Sequence, residues 1–151
     1  MPQSLSKIYL HIVFSTKRRY PFLANREFRN EMHRYIGGTC NAIGCPVIAV
    51  GGAADHVHIL CLLSRTRSVA EVVMDMKGQS SKWAKQVRLS LRKFQWQRGY
   101  GVFSVSESAV ETVRSYINNQ EEHHRRKSFK EEYLGFLEEH HVSFEEQYLW
   151  D

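Results

Sequence analysis

The sequence has no long apolar run and few cysteines. No run approaches the ~20 residues that a membrane-spanning helix needs. The opening residues Met1-Pro2-Gln3-Ser4 contain no cationic stretch leading into an apolar segment, so no secretory signal is predicted. Cys40, Cys45 and Cys61 are odd in number and lack metal-type spacing, which favours reduced, structural thiols. These absences favour a cytoplasmic protein with no membrane partner.

Acidic residues are missing from one part of the chain and abundant in another. Residues 1–120 carry 17 Lys/Arg against 7 Asp/Glu, whereas residues 121–151 carry 4 against 9. No acid occurs between Met76 and Ser106, although seven cations do. A basic body favours phosphate binding, as in nucleic-acid-binding proteins, and a solvated helix face is the alternative.

The length and composition indicate one folded domain. The chain has 151 residues, enough to bury a core, and 42% of them are hydrophobic. We therefore predict a single domain over residues 1–151, with an acidic C-terminal tail from about residue 128.

Hydrophobic patterning predicts alternating strands and helices. The predicted strands are Ile8 to Ser15, Pro46 to Val50, Val57 to Leu63 and Val102 to Val105, with a turn over Gly51 to Asp55. Asn25 is predicted to cap the first helix, Gly44 to end it, and Ser68 with Glu71 to cap the second in a capping box. A third helix runs through Val110, Val113 and Ile117, and a short one lies around Tyr133 to Leu137.

The order β-α-β-β-α-β-α is typical of an α+β, ferredoxin-like fold. An antiparallel sheet of this kind has helices on one face. We expect the opposite face to be free for a ligand or a second subunit.

The second predicted helix has a basic side. Since successive residues of a helix are 100° apart, five polar residues fall on one side of it, separate from its apolar side. They are Lys77, Ser81, Lys85, Arg88 and Arg92.

Two short motifs carry residues capable of chemistry. His56 and His58 are two apart on a predicted strand, so they share a face about 6–7 Å apart and could converge on one ion. Tyr116 and Gln120 are four apart and are neighbours on one helix face. By themselves, each has an ordinary alternative: hydrogen-bonded histidines on a half-exposed strand, and a tyrosine that packs at the edge of the core.

Together the motifs resemble the HUH endonuclease superfamily. More closely, they resemble the single-tyrosine transposases of minimal bacterial insertion sequences and their relatives associated with repetitive extragenic palindromes. The resemblance covers most of the chain. It includes the segments Tyr9 to Ser15, Asp55 to His58, Trp96 to Ser106, Tyr116 to Gln120, and Glu121 to His124.

The resemblance implies a function and a site. Tyr116 would be the nucleophile that cleaves single-stranded DNA, through a 5′-phosphotyrosine intermediate. His56, His58 and Gln120 would bind Mg²⁺ or Mn²⁺, of which Mn²⁺ suits imidazole ligands better. The sequence offers no obvious base for Tyr116.

The resemblance also implies DNA hairpins as substrates and a homodimer. The candidates for phosphate contact are Lys17, Arg18, Arg19, Lys77, Lys85, Arg88 and Arg92. Trp96 and Tyr100 could stack on bases or belong to the core. His123 and His124 could be a third ligand, a DNA contact or helix surface, and surface is favoured. The rival functions are a hairpin-binding module that does not cut and a metal-dependent hydrolase that uses water.

Overall fold

The computed structural model describes residues 2–151, which form a four-stranded antiparallel sheet. The strands are β1 (Tyr9–Ser15), β2 (Val47–Ala53), β3 (His56–Leu62) and β4 (Gly101–Val105). Their order across the sheet is β2-β3-β1-β4, and β1 pairs antiparallel with both β3 and β4. The predicted α+β, ferredoxin-like class is confirmed.

Six α-helices accompany the sheet within residues 2–151. They are α1 (Arg26–Ala42), α2 (Val69–Val87), α3 (Val110–Asn118), α4 (Gln120–His123), α5 (Phe129–Glu139) and α6 (Glu146–Leu149). Asn25 caps α1 by accepting a hydrogen bond from the amide of Phe28, and Ser68 with Glu71 forms the predicted capping box of α2. None of the helices formed by residues 2–151 has the length and apolar character required to cross a membrane.

The main core lies between the sheet and helices α1 and α2. Because side chains alternate along a strand, every second residue of the central strands points to these helices. Apolar side chains of all three elements make up this core, among them Leu10, Ile12, Phe14, Phe28, Met32, Ile36, Val57, Ile59, Val72, Val73 and Met76. The buried Trp96 belongs here too, and its Nε1 donates a hydrogen bond to Ser80 Oγ at 2.9 Å.

The opposite face of the sheet is covered, so the expectation that it stays free is wrong. Helix α3 packs Ile117 onto Ala49 and Leu60. The acidic tail supplies α5, whose apolar residues bury Val13 and Phe103. The physical reason is that the tail, although acidic in total, contains a helix with an apolar face. Burial of that face stabilises the folded state.

Two local predictions need correction. The β2–β3 turn is shorter than predicted, because the strand pairing continues through Gly51 and Gly52. A side chain on Gly51 would collide with the carbonyl oxygen of Ile117, so this glycine serves the close approach of α3 to the sheet. Helix α2 ends at Val87, and Arg88 has extended backbone dihedral angles, so Arg88 and Arg92 do not continue its basic side.

Candidate metal and nucleophile site

The predicted histidine pair lies on the covered face of β3. His56 and His58 are both 0% exposed, and their ring centroids are 5.2 Å apart. Nε2 of His56 is 3.0 Å from Oε1 of Gln120, and its Nδ1 is 2.8 Å from Oδ1 of Asp55. The structure therefore brings together the three residues that the family resemblance implied as metal ligands.

His58 is held by His11, a residue for which the sequence predicted no role. Its Nδ1 lies 2.8 Å from Nε2 of His11 on β1, and the two rings are stacked with centroids 5.0 Å apart. Nε2 of His58 points away from His11 toward the carboxylate of Glu132. Nδ1 of His58 thus contacts His11 on the neighbouring strand, and Nε2 faces the site.

Tyr116 and Gln120 remain neighbours although they belong to different helices. Helix α3 ends at Asn118, and Gln120 begins α4. Nε2 of Gln120 lies 3.5 Å from the carbonyl oxygen of Tyr116. The half-buried Tyr116 donates a hydrogen bond from its hydroxyl to Oε2 of Glu132, and this hydroxyl is 3.3 Å from Nε2 of His123.

Two further side chains complete the cluster: Glu132, for which the sequence predicted no role, and His124, for which helix surface was favoured over a ligand role. The side chain of Glu132, from α5, is 2% exposed. The side chain of His124 is 12% exposed, with its Nε2 2.9 Å from Oε1 of Gln120, so the surface assignment of His124 is wrong. A sequence signal for Glu132 did exist, since helical spacing places it with Phe129, Tyr133 and Phe136 on the apolar side of α5.

Burial controls the electrostatics of the cluster. Desolvation lowers the pKa of His11 and that of His124 to about 4, and it holds the pKa of His58 well below its usual value. These imidazoles are therefore neutral at neutral pH and keep a lone pair for a ligand. Burial, with a smaller effect of Asp55, raises the pKa of Glu132 to about 8.

The donor set fits a divalent cation. One donor atom from each of His56, His58, His124 and Glu132 lies within 4.8 Å of the others. Neighbouring donors around an octahedral ion with bonds of about 2.1 Å are about 3 Å apart. The distance from His58 Nε2 to Glu132 Oε1 is 2.9 Å, and that from His56 Nε2 to Gln120 Oε1 is 3.0 Å. Mixed imidazole and oxygen donors suit Mn²⁺ and related ions.

The first group of predicted DNA-binding residues lies in a turn beside an open groove. Lys17, Arg18 and Arg19 form a 3-10 turn directly after β1. Lys17 and Arg18 line a groove of about 1200 Å³, which Arg92 and Lys93 line as well. The groove thus joins cations from two separate parts of the sequence.

The predicted DNA-binding residues of the second helix differ in their surroundings. Lys77 donates from Nζ to the carbonyl oxygens of Gln97 and Gly99, at 2.8 and 2.6 Å. Burial lowers its pKa to about 8. Arg88 lies over the ring of Phe28, whereas Lys85 is exposed. The half-buried Lys77 therefore holds the loop before β4.

Comparison with known proteins identifies a family and two solved structures that are similar to this chain. The model of the family "Transposase IS200 like" matches residues 4–120. A candidate transposase from Deinococcus radiodurans R1, known from a crystal structure, is 22% identical, with a TM-score of 0.62 over 80% of this chain and 95% of that one. A REP-associated tyrosine transposase bound to a REP hairpin is 12% identical, with a TM-score of 0.56 over 79% of this chain and 70% of that one. No curated protein matches.

Proposed function

Since this chain belongs to the IS200-like transposase family, we propose that it cleaves and rejoins single-stranded DNA through a covalent bond to Tyr116. One observation carries the proposal. The Tyr116 hydroxyl reaches the same buried cluster as His56, His58 and Gln120, and all four residues lie within the matched region. A protein that only binds hairpins has no need for this convergence.

The reaction is a transfer of a phosphoryl group between oxygens. The Tyr116 oxygen attacks the scissile phosphorus, the bond from phosphorus to the 3′ oxygen breaks, and a 5′-phosphotyrosine and a 3′-hydroxyl result. Attack by a 3′-hydroxyl on the phosphotyrosine reverses these steps and joins strands. Because a phenol has a pKa of ~10, tyrosine leaves more easily than an alkoxide would.

The chain's own groups prepare the site for this chemistry. His56, His58 and Gln120 would hold a divalent cation, Mg²⁺ or Mn²⁺, which would neutralise charge that develops on the phosphate. Asp55 and His11 orient the two imidazoles through their second nitrogens. Glu132 accepts the hydrogen bond of the Tyr116 hydroxyl and so fixes its direction.

The substrate we propose is DNA that forms hairpins. The similar REP-associated transposase is bound to a REP hairpin. In this chain the groove lined by Lys17, Arg18 and Arg92 offers cations for backbone phosphates. Lys85 is exposed and remains a candidate for phosphate contact.

A strand needs a path to the buried histidines. Phe129 stacks on His56 with centroids 4.2 Å apart, and the ring of Phe136 lies 6.2 Å from that of His58. Both aromatic residues belong to α5. We therefore expect α5 to shift when the scissile phosphate enters.

The arrangement of Tyr116 bears on the oligomeric state. Tyr116 meets Glu132 and the histidines of its own chain, so one copy contains every group named above. A homodimer remains our prediction, to be tested by light scattering after size-exclusion chromatography. In a homodimer of this form, the tyrosine acts in cis.

The test uses single-stranded DNA copied from both flanks of the gene. We would incubate it with the purified protein and Mn²⁺ or Mg²⁺, and detect covalent adducts on a denaturing gel. Tyr116→Phe and His56→Ala serve as variants. An adduct that needs the metal and occurs only with the unmodified protein is the expected result.

Two other outcomes would lead to the rival functions. Hairpin binding without an adduct under either metal would indicate a binding module. Cleavage that survives Tyr116→Phe would indicate a nuclease in which water is the nucleophile.

A further inference from the structure

We propose that Glu132 is an additional ligand of the divalent cation in the DNA-free protein, and that its second oxygen positions the Tyr116 hydroxyl. This inference rests on the metal site of the proposed function. Glu132 lies in α5, beyond the region 4–120 that the family model matches. The family resemblance therefore assigns it no role, and its contacts alone support one.

One carboxylate oxygen of Glu132 faces the imidazoles. Oε1 lies 2.9 Å from Nε2 of His58, 3.3 Å from Nε2 of His124 and 3.7 Å from Nε2 of His56. These separations resemble those between neighbouring ligand atoms of one ion, about 3 Å. Oε1 therefore stands where a carboxylate ligand would stand if the histidines share a cation.

The other oxygen faces the nucleophile. Oε2 accepts the hydrogen bond of the Tyr116 hydroxyl, and it lies 3.3 Å from Nε2 of Gln120 and 3.1 Å from Nε2 of His123. A carboxylate that binds an ion with one oxygen keeps the second for hydrogen bonds. Glu132 would thus link the position of the ion to the direction of the Tyr116 hydroxyl.

A nearby cation would stabilise the buried carboxylate of Glu132. A buried carboxylate is costly unless a cation or several hydrogen bonds compensate it. Its side chain is 2% exposed, and within residues 2–151 the basic groups close to its carboxyl oxygens are all imidazoles, of which those of His58 and His124 are neutral because burial lowers their pKa. No lysine or arginine of this part of the chain forms an ion pair with it. A divalent ion at the shared centre would supply the missing charge.

The test measures Mn²⁺ affinity without DNA, because a bound phosphate would add oxygen ligands of its own. Isothermal titration, supported by the electron paramagnetic resonance signal of free Mn²⁺, compares the unmodified protein with Glu132→Gln, Glu138→Gln and His56→Ala. Glu138 is the matched control, since it lies on the same helix, is exposed and loses the same charge. We expect Glu132→Gln to weaken binding roughly tenfold to a hundredfold, and Glu138→Gln to leave it unchanged.

The outcomes separate this inference from the proposed function. Equal Mn²⁺ affinity of Glu132→Gln and the unmodified protein, with weaker binding in His56→Ala, would overturn the role of Glu132 and leave the histidine site intact. Absence of Mn²⁺ binding by the unmodified protein would overturn both. Should Glu132→Gln fail to fold, Glu132→Asp keeps the charge but withdraws the oxygen. Unchanged affinity in that variant would overturn the inference, and weakened affinity would support it.

Discussion

Nε2 of His11 on β1 lies 2.8 Å from Nδ1 of His58 on the neighbouring strand β3, inside the buried face of the sheet. One of these two nitrogens must carry the proton that they share. If His58 binds a cation through Nε2, its Nδ1 carries the proton and donates it to His11. His11 then accepts that hydrogen bond, and the contact stabilises the tautomer of His58 that a cation at Nε2 requires.

Replacement of His11 tests that relationship. His11→Phe keeps an aromatic ring beside Phe103 and Phe136 but removes the acceptor. Because the orientation of His58 is then less fixed, we expect Mn²⁺ affinity to fall roughly tenfold to a hundredfold. Isothermal titration checks this. His11→Gln offers a side-chain oxygen as acceptor and should recover part of the affinity. Full affinity in His11→Phe would show that His58 needs no support.

The close approach of α3 to the sheet predicts a large effect at Gly51. A Cβ atom on Gly51 would overlap the carbonyl oxygen of Ile117 and lie 3.0 Å from its Cγ2. Gly51→Ala should therefore lower the free energy of unfolding by about 1–3 kcal/mol, and it should displace the adjacent Tyr116 and reduce adduct formation. Urea unfolding and the adduct assay measure the two effects.

Gly38 provides the control for Gly51. It lies inside α1, and a Cβ atom there would meet nothing within 4 Å. Gly38→Ala should raise the free energy of unfolding by about 0.5–1 kcal/mol, because glycine loses more backbone entropy in a helix than alanine does. Equal unfolding midpoints for Gly51→Ala and the unmodified protein would show that α3 tolerates a wider spacing.

The groove beside the first strand predicts which cations contact DNA. Lys17→Gln with Arg18→Gln should weaken binding to all hairpins alike, and the salt slope should fall by about one ion for each phosphate that is no longer neutralised. The folded state should be unaffected, because both side chains lie beside an open groove. Fluorescence anisotropy over a series of salt concentrations gives both the affinity and its slope. An unaltered slope would exclude the groove from the DNA interface.

Lys77 should behave in the opposite way. Its ammonium group donates to carbonyl oxygens of the loop before β4, so Lys77→Met removes these charge-assisted hydrogen bonds. We expect the free energy of unfolding to fall by about 1–3 kcal/mol and the salt slope of DNA binding to stay the same. The same titrations, run beside urea unfolding, decide this. A reduced slope with unchanged stability would make Lys77 a phosphate contact.

Protonation of His33 should account for part of the loss of stability at acidic pH. Burial, with smaller effects of Arg29 and His56, lowers the pKa of His33 to about 4, and its buried Nε2 has no hydrogen-bond partner in residues 2–151. In the unfolded chain this imidazole binds a proton near pH 6.5, whereas in the folded protein it does so only near pH 4. The free energy of unfolding therefore decreases as the pH falls from about 6.5 toward 4. His33→Gln should reduce the loss between about pH 7 and pH 5 by roughly 1–2 kcal/mol. Urea unfolding of both proteins at each pH tests this, and identical losses would contradict it.

Local rules of the chain were sufficient to predict much of the fold. The period of two along a strand placed His56 and His58 on one face, since successive side chains must alternate. Asn25 and Ser68 began their helices as predicted, because their side chains accept hydrogen bonds from free backbone amides. The spacing of Tyr116 and Gln120 kept them adjacent even across the break at Asn119.

Only the tertiary structure decided how distant segments complete the site. The sequence places Glu132 on the apolar side of α5, but its role depends on the docking of α5 over the histidines. The contact of His11 with His58 arises from strand register, and Lys77 turned inward because a loop supplied carbonyl oxygens to it. Sequence patterns report the preference of each segment for a face or a turn. Which segments then share a buried space depends on packing between elements far apart in the chain, and that information is not local.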